Sequence, residues 1–189
     1  MRRHPGVLAL QGNFAKHQEM LESLGVTTRL IKKPEELADC DGLILPGGES
    51  TTLTKLLRLY GFYEPLRDFS RNFPIMGTCA GMILVASQVD DDRVKPLQII
   101  NIAVARNAYG RQIDSFITEI DAACLGNGAS FRSIFIRAPQ IQETGPEVDV
   151  LMEYGGRPVM VRNKNVLALA FHPELTNDSR IHRYFLEDF

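Results

Sequence analysis

One stretch of the chain pairs a nucleophile with a backbone able to present it. Phe73-Pro74-Ile75-Met76-Gly77-Thr78-Cys79-Ala80-Gly81-Met82-Ile83-Leu84 reads as a short apolar strand, a G-x-C-x-G turn and the start of a helix. This is the layout of a nucleophile elbow with cysteine in place of serine. The glycines let backbone approach backbone, and the nucleophile of such a turn sits in a strained conformation that pushes its side chain outward. At a helix N-terminus, free N–H groups and the helix dipole favour a thiolate. The Ala80 N–H would face an oxyanion formed beside Cys79. A lone cysteine is most often a small buried hydrophobe. The strand, the glycines and the helix around Cys79 are what select the chemical reading.

A nucleophilic thiol needs a base, and the base needs an orienting group. Of the four histidines, His4, His17, His172 and His182, His172 stands out because it follows the apolar run Val166-Leu167-Ala168-Leu169-Ala170-Phe171. It is therefore expected at the end of a buried strand. Glu174 lies two residues on, and in extended chain positions i and i+2 share a side. Glu174 is thus expected to orient the imidazole, with Pro173 restricting the backbone between them.

A third segment, Pro46-Gly47-Gly48-Glu49-Ser50-Thr51-Thr52, follows one apolar run and precedes a helical pattern. Ligands of open parallel sheets bind at the carboxyl ends of strands. A glycine pair there can turn N–H groups toward an anion. Taken alone, the segment would be a turn followed by a Ser/Thr helix cap. It lacks the spacing of a phosphate-binding P-loop.

The elements that must position these residues alternate through the first half. Strands are expected over 6–10, 26–31, 42–45 and 73–76, with helical patterns over 13–24, 34–37, 50–60 and 80–86. That order predicts a parallel α/β sheet with right-handed crossovers. The second half is richer in β-branched runs, at 97–105, 113–120, 131–137, 148–153, 157–163 and 166–171. Gly155-Gly156 marks a hairpin and 178–188 a closing helix. The expectation is an open, mostly parallel α/β sheet with antiparallel strands added late, forming a single domain over 1–189.

Composition narrows the function classes. With 21 basic and 23 acidic residues the net charge is −2, so no global field draws the chain to nucleic acid or to an anionic membrane. No apolar stretch approaches the roughly 20 residues of a membrane span, and the start of the chain lacks the make-up of a signal peptide. Three cysteines, Cys40, Cys79 and Cys124, do not suit a disulfide framework. A cytoplasmic protein is the simplest expectation.

In the order PGGES, GTCAG and HPE, the three motifs resemble those of class I (triad) glutamine amidotransferases. Further segments narrow the resemblance to the glutaminase subunits of pyridoxal 5′-phosphate synthase: Leu10-Gln11-Gly12, Leu43 to Thr52, Arg106-Asn107-Ala108-Tyr109-Gly110-Arg111-Gln112, Asp114-Ser115-Phe116, Phe135-Ile136-Arg137-Ala138-Pro139 and Phe171 to Glu174. Arg106 to Gln112 and Phe135 to Pro139 select that subfamily. The resemblance covers essentially the whole chain and implies the flavodoxin-like, three-layer sheet of the superfamily. It implies hydrolysis of L-glutamine to glutamate and ammonia, with no cofactor and no metal. It also implies passage of the ammonia to a separate synthase (lyase) subunit, in a large hetero-oligomer, for vitamin B6 biosynthesis. Residue by residue, it makes Cys79 the nucleophile and His172 and Glu174 the other triad members. It makes Gly47, Gly48, Glu49, Arg106, Ile136 and Arg137 the glutamine-binding positions, and Gly48 and Ala80 the oxyanion donors. The chemistry agrees, since a substrate with an α-carboxylate and an α-ammonium asks for groups of both signs. Ser87 to Val94, with Asp90-Asp91-Asp92, is more acidic than usual for this family and puts no catalytic position in doubt. Cys40 and Cys124 are read as structural. Three other readings stay open: a glutaminase subunit of another amidotransferase, such as imidazole glycerol phosphate synthase; a cysteine hydrolase or stress protein of the same fold; and a non-catalytic binding module.

Overall fold

A computed structural model describes residues 4–106, 115–126 and 130–189. In chain order the elements are β1 (Pro5–Leu8), α1 (Phe14–Ser23), β2 (Arg29–Ile31), β3 (Gly42–Leu45), α2 (Ser50–Leu59), α3 (Tyr63–Asn72), β4 (Ile75–Thr78), α4 (Ala80–Val85), β5 (Ala86–Val89), β6 (Ile100–Ala105), β7 (Ser115–Asp121), β8 (Ser130–Ile136), β9 (Gln140–Thr144), β10 (Asp149–Tyr154), β11 (Arg157–Arg162), β12 (Val166–Leu169) and α5 (Arg180–Glu187). Short 3-10 turns occupy Pro34–Asp39, Ala123–Leu125 and Pro173–Leu175.

The main sheet has seven strands in the order β10-β11-β12-β4-β3-β1-β2. From β12 to β2 all neighbours are parallel, whereas β11 and β10 join antiparallel. The four strands β1, β3, β4 and β12 are buried at every position. Their sequences are correspondingly continuous apolar runs rather than alternating ones. Two smaller sheets, β5-β6-β9 and β7-β8, interrupt the chain between β4 and β12. The mostly parallel sheet with late antiparallel strands matches the sequence expectation.

Register sets the site. Leu45 of β3 pairs with Gly77 of β4, and Thr78 of β4 pairs with Leu169 of β12. The carboxyl ends of three adjacent strands are therefore level. The order β2-β1-β3 also reverses direction between β1 and β3, the kind of switch point at which open α/β sheets bind ligands.

Several elements depart from the sequence reading. α3 was not expected: Pro65 in its first turn and a polar exterior hide a helix that buries Leu66, Phe69 and Ser70. β5 and β9 are short and half polar, and they form only by pairing with β6. The strand expected at 73–76 begins at Ile75, and the one expected at 97–105 begins at Ile100, beyond Gln98 with its left-handed φ of 60°. Residues 113 and 114 of the expected 113–120 strand lie outside the described residues.

Candidate active site

Cys79 follows β4 directly and caps α4 with φ 50° and ψ −105°, a backbone conformation that L-residues rarely adopt. The flanking glycines explain how the turn closes. A Cβ on Gly77 would lie 2.6 Å from the carbonyl oxygen of Gly81, and a Cβ on Gly81 would collide with the carbonyl oxygen of Leu45. The G-x-C-x-G spacing is thus a packing requirement between strand ends. The Cys79 N–H donates to Leu169 O at 2.8 Å, so it is spent on the sheet. Ala80, the first helical residue, has no intrahelical acceptor for its N–H.

His172 leaves the end of β12 and is held by its own N–H, which donates to Ile134 O of β8 at 2.9 Å. Its Nδ1 lies 2.7 Å from Glu174 Oε1. The sequence argument reached this contact by a route the molecule does not take. Residues 173–175 form a 3-10 turn rather than extended chain, and the turn folds Glu174 back beneath the imidazole. Both residues are nearly inaccessible, His172 at 4% and Glu174 at 3% exposure. Burial alone would push the His172 pKa down. The Cys79 sulfur and the bonded Glu174 carboxylate outweigh it and raise the value to about 10. Burial likewise opposes ionisation of Glu174, but His17 and His172 beside it hold its pKa down to about 2. A buried imidazolium and carboxylate therefore stand next to the Cys79 sulfur. With Nδ1 taken by Glu174, Nε2 is the nitrogen left for Cys79.

These groups open on a cavity of about 420 Å³, within the size range of a small-molecule site. Gln11, Asn13, Gly48, Glu49, Cys79, Ala80, Arg106, Ile136, Arg137 and His172 are among its lining residues. Gly47, expected at the binding surface, packs against His172 and Cys79. It is buried, and a Cβ there would come within 2.5 Å of His172 Cε1.

Glu49 is the N-cap of α2, in place of the Ser/Thr cap that the sequence suggested. Its carboxylate accepts the N–H groups of Thr51 at 3.2 Å and Thr52 at 2.8 Å, and both threonine hydroxyls. These bonds overcome the effect of burial and lower its pKa to about 2. Arg106 pairs with Glu49 through Nη2 and with Asp91 through Nη1 at 2.6 Å. The Arg106 N–H donates to Asp90 at 2.7 Å. The acidic segment therefore grips one of the candidate binding residues. Arg137 follows β8 with φ 43°, a second strained residue at the cavity. The rest of the Arg106–Gln112 segment lies outside the described residues.

Two participants were given no site role in the sequence reading, although Gln11 belongs to a segment that carried the resemblance. Gln11 accepts the Glu49 N–H at 3.0 Å, and Asn13 Nδ2 donates to Glu174 Oε1 at 3.3 Å. Both follow β1 and reach the site only because β1 and β3 are neighbours. Among the described residues no cluster of His, Cys, Asp and Glu suits a metal ion.

Residues 7–189 match the model of the SNO glutamine amidotransferase family. The chain belongs to that family. Among its relatives, a pyridoxal 5′-phosphate synthase subunit PdxT of Thermosipho africanus is 48% identical over 182 residues, covering 96% of each chain. A PdxT subunit of Dehalococcoides mccartyi is 50% identical over 186 residues, covering 96% of this chain and 95% of the relative. A crystal structure described as a glutamine amidotransferase superposes with a TM-score of 0.91 at 44% identity, covering 97% of both chains. The strained cysteine and the level strand ends therefore sit in a family defined by amide nitrogen chemistry.

Proposed function

We propose that this chain is the glutaminase subunit of a pyridoxal 5′-phosphate synthase, hydrolysing L-glutamine to glutamate and ammonia. The observation that carries the reading is the shared cavity. One wall holds Cys79 and His172, and the rim holds Glu49, Arg106 and Arg137. That combination suits an amide carbonyl at one end of the ligand and a zwitterionic amino acid head at the other.

In this reading the Cys79 thiolate attacks the side-chain amide carbon of glutamine. The N–H groups of Ala80 and Gly48 stabilise the oxyanion, each donor contributing about 3 kcal/mol. The His172 imidazolium gives its Nε2 proton to the departing nitrogen, the C–N bond breaks, and ammonia leaves a γ-glutamyl thioester. Water then attacks the thioester with His172 as base, the C–S bond breaks, and glutamate and thiol are released. Glu174 stabilises the imidazolium throughout. At the rim, Arg106 and Arg137 take the α-carboxylate and Glu49 the α-ammonium, with Ile136 packing beside the substrate chain. Binding requires Arg106 to exchange one of its present carboxylate partners for that of the substrate. Gly47 contributes by its close packing on His172.

The relatives named PdxT are synthase subunits, so the ammonia would pass to a synthase partner docked where the cavity opens, in a hetero-oligomer of the cytoplasm. No described helix is long and apolar enough to cross a membrane. The test is ammonia release from glutamine by the purified chain, alone and with the synthase subunit of a relative. Faster release with the partner, and its loss by at least about a thousandfold in Cys79→Ala, are the expected results. Retained activity in Cys79→Ala would remove the assignment. Equal rates with and without the partner would remove the coupling but leave the glutaminase.

A further inference from the structure

Behind Glu174, on the side away from the cavity, lies a buried row of polar side chains that the triad does not use. His17 of α1, His182 of α5 and Thr78 of β4 have no exposed surface. His17 Nδ1 is 2.9 Å from His182 Nε2, while His17 Nε2 is 3.2 Å from Thr78 Oγ1 and 3.4 Å from Glu174 Oε2. Glu174 Oε2 is the carboxylate oxygen that His172 leaves over, and it is buried without a hydrogen bond of its own. His182 Nδ1, at the far end of the row, is equally buried and unpartnered.

Those two orphans decide where the protons are. If His182 Nε2–H donates to His17 Nδ1, then His17 Nε2–H points at Thr78 Oγ1 and Glu174 Oε2. The orphan at His182 is then a lone pair. If the protons run the other way, His17 turns a lone pair toward a carboxylate and His182 buries an unpaired N–H. Buried unpaired donors are rarer and costlier than buried unpaired acceptors, and a lone pair facing an anion is repelled. The first arrangement avoids both. Burial disfavours the charged form of both rings, pushing His17 below its ordinary range and His182 down to about 3.

We infer that His17 is a positioning residue for the triad: a neutral imidazole whose Nε2–H bears on the second oxygen of Glu174, with His182 fixing its tautomer. The inference rests on the glutaminase reading and extends it inward. His172 and Asn13 hold Oε1 of the same carboxylate. The titratable groups facing Glu174 are thus His172 and His17, with His182 behind. Lys16 and Glu19 border the surface cleft beyond it and are paired with each other at 2.6 Å. Without the His17 donor, Glu174 takes up a proton at higher pH and ceases to support the His172 imidazolium.

The test compares His17→Gln, whose amide can reach the Nε2 position, with His17→Asn and His17→Leu, which cannot place a donor there. In the chain with its synthase partner, His17→Gln is expected to keep kcat within about threefold of the parent. His17→Asn and His17→Leu are expected to lose at least tenfold in kcat at unchanged KM. Their acid limb of kcat should move up by about one pH unit. The pH profile of Cys79 alkylation by iodoacetamide, read on the full chain alone, should show the same shift. Equal profiles in all three variants, or equal losses with an unmoved acid limb, would overturn the positioning role. If His17→Leu does not fold, the contrast between Gln and Asn decides. A parent chain that does not hydrolyse glutamine would sink the glutaminase reading, whereas the alkylation profiles still judge His17.

Discussion

The two ends of the cavity are built differently. At the inner end, Cys79, His172 and Glu174 are almost fully buried and stand on the level ends of adjacent strands. At the rim, the Glu49 side chain is 42% exposed, and Arg106 is shared between Glu49 and Asp91, carboxylates from two other parts of the chain. The inner groups have their geometry set before substrate arrives, because sheet register and glycine packing leave them no room. The rim groups pair with one another, and in the proposed reading that pairing is exchanged for pairing with substrate. Charge stabilisation is strongest where dipoles are fixed in advance and water is excluded, which is why the proposed mechanism places bond breaking at the inner end. Recognition can tolerate the wetter rim.

The sharpest way to break the inner end is to disturb its backbone. Gly81→Ala drives a methyl group into the Leu45 carbonyl. The expected cost is about 3 kcal/mol, read as a fall in Tm of roughly 10 °C, with activity lost even in the folded fraction. An unchanged Tm would mean that the elbow is looser than the strand register implies.

Next in size is the response to acid. His182 has a folded-state pKa of about 3 against an unfolded value of 6.5, because burial opposes its charge. The unfolded chain therefore takes up this proton below pH 6.5 while the folded chain refuses it, and stability falls as pH drops from 6.5 toward 3. Between pH 7 and pH 5 this contributes a loss of about 2 kcal/mol. His17 acts in the same direction. Urea denaturation of His182→Gln at the two pH values should show that share of the loss removed. A slope equal to that of the parent would refute the neutral buried ring.

The rim should respond more mildly and in binding alone. Arg106→Ala is expected to raise KM for glutamine about tenfold with little change in kcat, since a charged hydrogen bond contributes about 1.5–3 kcal/mol. A fall in kcat at constant KM would move Arg106 into the chemical step. Asp91→Asn removes one partner of Arg106 but leaves Glu49, and is expected to change KM by about threefold at most. Steady-state ammonia assays separate the two effects.

The same division explains what could be read in the sequence. The elbow was legible because Gly77, Cys79 and Gly81 answer to contacts made within one turn and its supporting strands. The buried strands were legible because a strand covered on both faces must be apolar throughout. His172 was legible from the apolar run before it. Glu174 was legible as a partner, but not the 3-10 turn that delivers it, since two residues of spacing fit more than one backbone path. The rest depends on separation in the chain. Nothing near His17 announces that α5 brings His182 against it, and nothing in Asp90-Asp91 announces that β5 and β6 pair to bring it to Arg106. α3 escaped because its buried face is narrow and its first turn holds a proline.

The chain leaves the main sheet after α4 and travels through β5 to β9 before it returns, by way of β10 and β11, to β12. That detour carries Arg106, Ile136 and Arg137, whereas Cys79 and His172 stand at its two feet on strands that are bonded to each other along their length. Inheritance can therefore act on the two separately. Insertions, deletions and drift within the detour can remodel what the cavity accepts, while hydrogen bonds across β4 and β12 keep Cys79 and His172 in step. A lineage built this way can change its customers without relearning its craft.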